Sequence, residues 1–243
     1  MRNLSLPVRL ALLVAGTTLP LIIFAGSIVL HNYMQDRSEA RQRVLDTVRG
    51  VRLTLDAEMQ RMTGGVQVLA LTDALKSGDF ERFRPMALGF LNQYGKDGAI
   101  LVSDRSGRLV FSSLTTDTGT LPLRNNSEII EKVFTTRQPQ YSNLFLGAIK
   151  NILIVTVEVP VFHNGEVAYD ISFTPPMATF QNILEKQRPS EDWTLSLLDR
   201  NGIVFARIPN PEDTIGKRAS PSVFDEMMHR HEATLATFSL DSV

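Results

Sequence analysis

The first pattern of apolar positions along the chain is an uninterrupted run. Residues Leu10–Leu30 include no charged side chain. A helix of this length spans about 30 Å at about 1.5 Å per residue, which is the thickness of a bilayer's hydrocarbon core. The run is longer than the apolar region of a signal peptide, and Ile28–Tyr33 offers no small-residue cleavage site. The pattern therefore predicts an uncleaved transmembrane helix over residues 10–30.

The charges beside this run predict its orientation. Arg2 and Arg9 precede it, and no acidic residue does. Because Lys and Arg are enriched on the cytoplasmic side, we expect residues 1–9 in the cytoplasm and the chain from residue 31 onward outside it. The chain has no cysteine, so an extracytoplasmic domain here must depend on its hydrophobic core. These features predict a protein of the bacterial inner membrane with its bulk in the periplasm.

The second pattern has the period of a helix and covers residues 31–75. The apolar stripe consists of one series at steps of seven and a second series beside it: Val48, Leu55, Met62 and Leu69, with Val44, Val51, Met59 and Val66. Such a stripe either packs along its own domain or pairs with a second copy, so a homodimer through this stalk helix is one expectation. Gly64 and Gly65 are expected to weaken the helix or kink it.

The third pattern mixes short helices with strands. A helix is predicted over residues 79–94 and another over residues 127–135, and a third runs from Pro176 to about residue 186. Strands are predicted over residues 99–103, 108–113, 141–146, 151–162 and 166–173.

A hairpin signature occurs twice in the chain. Asp104–Gly107 and Asp199–Gly202 each have the form Asp-Arg-x-Gly between two apolar strands, about 95 residues apart. A helical pattern follows each hairpin. We therefore predict two similar units over residues 76–188 and 189–243. The second is expected to be incomplete, because Glu232–Leu240 begins a strand just before the sequence stops. We expect a fragment of a longer receptor, with a naturally short anchored protein as the alternative.

Composition argues against several classes of function. The net charge is −1, so there is no basic field for nucleic acid. No cysteine is present, and the glycines form no phosphate-binding loop. His229 and His231 are two residues apart and would not face each other on a helix. The sequence predicts no catalytic residue, no metal site and no cofactor in this segment.

Three segments resemble the double Cache modules of bacterial membrane receptors: Leu197–Arg207, Pro211–Lys217 and Gly165–Ser172. The resemblance implies an α+β fold in which two PAS-like antiparallel-sheet units hang on one long helix. It further implies sensing and signal transduction. Such modules most often feed the histidine kinase of a two-component system, and less often a diguanylate cyclase or a chemoreceptor. A membrane-anchored structural or assembly protein without a ligand is the alternative of another class.

The resemblance also implies a pocket for a small molecule in the membrane-distal unit. Asp170 resembles the acid that meets the amino group in amino-acid-binding members, although strand alternation could instead turn it to solvent. The Arg-x-Trp-Tyr segment of those members is missing, because Asp192 precedes the one tryptophan, Trp193. The remaining candidates fall into two groups. Those that could supply hydrogen bonds are Tyr141, Asn143 and Tyr169, and those that could meet an anionic ligand are Arg124 and Lys150.

Overall fold

A computed structural model describes residues 6–116 and 121–230. The chain divides into two units, Met1–Asp46 and Thr47–Val243. Helix α1 (Leu6–Ala70) begins in the first unit, where Val44 and Leu45 are partly exposed. Six large apolar side chains nearer its start are exposed: Leu19, Leu21, Ile22, Ile23, Phe24 and Ile28. No helix within the described ranges has both the length and the apolar character needed to cross a bilayer. The anchor over residues 10–30 stays a prediction.

In the second unit, α1 buries its predicted stripe against its own domain. Val51, Met62, Val66 and Leu69 are buried, whereas Val48 is 47% exposed. Packing along the domain is therefore confirmed for the part of the stripe that begins at Val51. The helix ends at Ala70, earlier than predicted, and α2 (Asp73–Lys76) follows it.

Gly64 and Gly65 do not interrupt α1. A Cβ atom at Gly65 would lie 2.7 Å from a ring carbon of Phe90 and 2.8 Å from the hydroxyl of Tyr94, both on α3 (Phe80–Tyr94). At Gly64 a Cβ would meet nothing within 4 Å. Helix α1 continues through this pair, and Gly65 permits the close approach of α3. The predicted kink stays a prediction.

The central sheet is antiparallel and has the strand order β2-β1-β7-β6-β3. Its strands are β1 (Ala99–Ser103), β2 (Leu109–Ser112), β3 (Gln140–Tyr141), β6 (Val157–His163) and β7 (Glu166–Thr174). One face packs against α1 and α3 through alternate apolar residues, among them Ile100, Val102, Val159, Ile171 and Phe173. The side chains in between point to the opposite face, which carries the site described below.

The two long strands predicted over residues 141–146 and 151–162 are broken into four. Between β3 and β6 the chain forms a small ladder of β4 (Phe145–Leu146) and β5 (Leu153–Ile154). A tight turn joins them, in which Gly147 N donates to Ile152 O at 2.8 Å and Asn151 adopts a φ of 53°. Because of this turn, residues 145–154 leave the main sheet and lie over its polar face. We call residues 145–154 the lifted segment.

A second apolar cluster surrounds the second hairpin, β8 (Leu195–Leu198) and β9 (Val204–Ile208). Helix α5 (Met177–Gln187) packs on it, and the rings of Phe180 and Phe205 meet edge to face at 5.2 Å. Helices α4 (Ser127–Thr136) and α6 (Pro221–His229) follow the first and second hairpins respectively. The strand predicted over residues 232–240 lies outside the described residues.

The two hairpins share their backbone hydrogen bonds as well as their sequence. Asp104 Oδ1 accepts from the backbone N of residues 106 and 108, and Asp199 Oδ1 accepts from those of residues 201 and 203. Arg124 N donates to Gly107 O at 3.0 Å, and Ala219 N donates to Gly202 O at 2.8 Å. All these positions are related by a shift of 95 residues, which supports the predicted duplication. The unit boundaries at residues 76–188 and 189–243 stay predictions.

Candidate functional site

The face of the central sheet turned away from α1 is buried but polar. Ser103 on β1, Glu158 on β6, and Asp170 and Ser172 on β7 are all 0% exposed. The strand register brings them together, because Ser103 pairs with Asp170 and Glu158 pairs with Ser172. Two carboxylates thus lie close together where no water reaches them, and such an arrangement requires a compensating charge.

Arg124 supplies that charge. Its backbone N is fixed to the first hairpin at Gly107, in the segment that leads into α4. Its side chain is 3% exposed, and Nη1 lies 2.9 Å from Asp170 Oδ2 and 3.1 Å from Glu158 Oε2. Nη2 donates to the other oxygen of Glu158. We call Arg124, Glu158 and Asp170 the buried triad.

The guanidinium of the buried triad has no spare donor. Nε donates to Asn126 Oδ1 at 3.1 Å, and Nη1 and Nη2 also approach the hydroxyls of Ser103 and Ser172 at 3.4 Å. Every nitrogen of Arg124 therefore has an acceptor within the protein, and both Nη atoms have more than one. An anion could reach this guanidinium only by displacing one of its own carboxylates.

The two carboxyls of the buried triad differ in their acidity. Burial, aided by the charge of Glu158, raises the pKa of Asp170 well above its usual value, although Arg124 acts in the opposite direction. Burial would also raise the pKa of Glu158, but the charge and hydrogen bonds of Arg124 outweigh it and lower that pKa. Asp170 Oδ1 is buried, and it has no hydrogen-bond partner among the residues that the structure describes. A proton on Asp170 leaves the triad electrically neutral.

A cavity of about 60 Å³ lies beside the buried triad. Its buried polar lining comes from Arg124, Thr156 and Ser172, and the exposed residues Asp97 and Lys150 line its solvent side. The apolar lining comes from β1, from the residue at position 114 just after β2, and from the lifted segment: Leu101, Leu114, Phe145, Ile149, Ile152 and Ile154. This is a mostly apolar pocket with a few polar groups at one end, the usual composition of a small-molecule site.

The structure brings three of the six candidates from the sequence together. Arg124 and Lys150 line the cavity, and Asp170 lies behind Arg124 and forms an ion pair with it. Asp170 faces the protein interior, so the solvent-facing alternative is wrong. It also does not line the cavity, because Arg124 lies against its inner side.

The other three candidates lie elsewhere. Tyr169 packs edge to face against Phe80 at 5.9 Å, next to the core formed with α1 and α3. The Tyr141 hydroxyl lies 3.0 Å from Thr63 Oγ1, and Tyr141 and Asn143 line a separate cleft beside β8 and β9. Sequence reasoning missed Glu158, although a lone acid between Val157 and Val159 in an apolar strand was a usable signal.

Comparison with known proteins identifies the fold. No family model matches the sequence, and no curated protein matches it. Among solved structures, an extracellular ligand-binding receptor from Desulfohalobium retbaense is 16% identical, with a TM-score of 0.53; the match covers 74% of this chain and 34% of that receptor. The sensor domain of the V. cholerae histidine kinase DctB is 17% identical, with a TM-score of 0.50, over 82% of this chain and 77% of that domain.

A third similar structure is the ligand-binding domain of the Pseudomonas aeruginosa chemoreceptor PctC in complex with GABA. It is 15% identical, covers 72% of this chain and 77% of its own length, and has a TM-score of 0.49. The chain thus spans about a third of the Desulfohalobium receptor but most of the two sensor domains. It has the fold of the Desulfohalobium ligand-binding receptor and of the DctB sensor domain, as the double Cache resemblance implied.

Proposed function

We propose that this chain is the extracytoplasmic ligand-sensing part of a membrane receptor. The observation that carries the proposal is the cavity between the polar sheet face and the lifted segment, with the buried triad at its inner end. Such a pocket combines apolar walls with a few fixed polar groups. The sensor domains that share this fold support a small molecule as the ligand.

The sheet offers a physical route from ligand to signal. Its polar face borders the cavity, and its apolar face packs against α1 through Met62, Val66 and their neighbours. A ligand that fits one arrangement of sheet and helix better than another shifts the population of the two. The expected output is a histidine kinase, with a chemoreceptor or a diguanylate cyclase as alternatives.

The membrane anchor and the dimer belong to the same proposal. The uncharged run Leu10–Leu30 and its exposed apolar side chains favour a single N-terminal transmembrane helix. On α1, Val48 and Leu53 are 47% and 70% exposed and offer apolar contacts for a second copy. A homodimer would let a change in α1 of one subunit alter its partner.

Filling the cavity tests the proposed function. Ala99 on β1 lines the cavity, whereas Ala168 on β7 does not. A panel of small metabolites is screened by thermal shift on the full chain and then on Ala99→Leu and Ala168→Leu. We expect the stabilising compound to act on Ala168→Leu but not on Ala99→Leu.

Two results would contradict this function. One is a panel in which no compound raises the melting temperature, as expected of an anchored structural protein without a ligand. The other is equal stabilisation of both variants. If Ala99→Leu does not fold, Leu101→Phe fills the same cavity from the same strand.

A further inference from the structure

We infer that the ligand of this cavity is a small uncharged molecule, with one hydroxyl or amide group on an apolar body. The inference rests on the proposed function and specifies its ligand class. It is argued from the charge of the lining, the free hydrogen-bonding capacity of two hydroxyls, and the size of the space.

Negative charge is disfavoured at the inner end of the cavity. The only guanidinium there is Arg124, and its nitrogens are already occupied by Glu158, Asp170, Asn126 and two serines. Directly behind it are two carboxyl groups that carry at least one negative charge between them. A ligand carboxylate would lose its hydration and gain no unpaired donor from Arg124, so its burial here is costly.

A positive charge on the ligand is disfavoured because the lining itself carries cations. Arg124 lines the cavity itself, whereas Glu158 and Asp170 do not. A ligand ammonium would therefore meet the guanidinium before either carboxylate, and Lys150 adds another cation on the solvent side. Asp97 is the acid in the lining, and it is exposed, where water screens its charge. The inner end of the cavity therefore disfavours both signs of charge.

The two buried hydroxyls in the lining, those of Ser172 and Thr156, retain hydrogen-bonding capacity. Ser172 Oγ accepts from Arg124 at 3.4 Å, and no acceptor for its own O–H is found within the described part of the chain. Thr156 Oγ1 donates to Glu158, which leaves its lone pairs able to accept. A neutral group with both an acceptor and a donor, such as a primary amide or an alcohol, matches this pair.

The volume indicates the size of the group that can be buried at the inner end of the cavity. One water needs roughly 10–15 Å³ of such space, so a cavity of about 60 Å³ holds the equivalent of about four to six waters. A molecule of about that number of heavy atoms fills it, and Leu101, Phe145, Ile152 and Ile154 surround its apolar body.

Three probes of similar shape and different charge test the inference. Butanamide, butanoate and butylammonium are titrated into the full chain by calorimetry, with thermal shift as a second readout. We expect butanamide to bind and to raise the melting temperature, and the two ions to bind at least tenfold more weakly. Tighter or equal binding of either ion would overturn the ligand class while leaving the cavity as the sensing site.

Matched serine variants locate the contact. Ser172→Ala removes a hydroxyl from the lining, whereas Ser112→Ala removes a buried hydroxyl on β2 outside it. We expect butanamide affinity to fall at least fivefold in the first variant and to stay unchanged in the second. Equal affinities in both variants, or no binding of any probe, would overturn the inference. The proposed function would fail as well only if the metabolite panel gave no stabilisation, or stabilised Ala99→Leu and Ala168→Leu equally.

Discussion

Replacing Arg124 with methionine should destabilise this domain strongly. The substitution keeps a long apolar side chain but removes the one positive charge of the buried triad. Glu158 and Asp170, both fully buried, then lose their ion-pair partner. Neither side chain has access to water that could hydrate it, so the loss is an uncompensated buried charge rather than a missing surface contact.

The expected magnitude follows from the burial of all three groups. Breaking a buried pair by removing one partner costs about 3–5 kcal/mol. For a domain of about 150–250 residues, each kcal/mol lowers the melting temperature by about 2–4 °C, so the expected fall is about 6–20 °C. The measurement is urea denaturation of the full chain at neutral pH, with thermal melting beside it.

Two further variants show whether charge is the cause. The triple variant R124M/E158Q/D170N removes all three charges and should recover much of the lost stability, because nothing charged then remains unpaired. Arg105→Met removes an exposed partner of Glu131, whose ion pair is open to solvent, and should change stability little. The reasoning is refuted if R124M is as stable as R105M, or if the triple variant is no more stable than R124M.

Three other predictions concern pH, packing and topology. Because folding raises the pKa of Asp170, this residue contributes stability below its unfolded pKa, and the contribution is lost as pH rises through its folded pKa. The urea midpoint should therefore decline less steeply with rising pH in Asp170→Asn, and an unchanged slope would contradict this. Gly65→Ala should lower the free energy of unfolding by about 1–3 kcal/mol, because the new Cβ would lie 2.7 Å from a ring carbon on α3. Gly64→Ala has open space around its Cβ and should be neutral or stabilising in the same urea assay, and equal effects of the two variants would contradict this packing. Alkaline phosphatase fused after Lys150 should be active in bacterial cells, since the enzyme needs the periplasm, and activity only of a cytoplasmic reporter at that position would reverse the proposed orientation.

Periodicity was enough to predict most of the elements. The stripe on α1 and the Asp-Arg-x-Gly hairpins depend on local spacing, which the sequence displays directly. The broken strands between β3 and β6 were missed because a run of apolar residues does not reveal where it leaves a sheet. Gly147 and Asn151, which form the turn, were the available signal.

The candidate site was predictable only in part. Arg124 and Asp170 were each recognisable as candidates, but they are 46 residues apart, and only the fold shows that they are bonded to each other. Glu158 lies on a third segment and completes the triad. Tyr141 and Tyr169 were reasonable candidates by residue type, yet the strand register turns them to other surroundings. Which side chains meet across a sheet depends on register, and no local pattern fixes it.

The hydrogen bonds that repeat at a shift of 95 residues place different side chains on equivalent backbone. The backbone that holds Arg124 to the first hairpin recurs at Ala219 in the second, with the same main-chain bond to the turn glycine. One scaffold thus carries a guanidinium in one copy and a methyl group in the other. Equivalent backbone therefore presents a group that can neutralise buried carboxylates in one unit, and an inert side chain in the other.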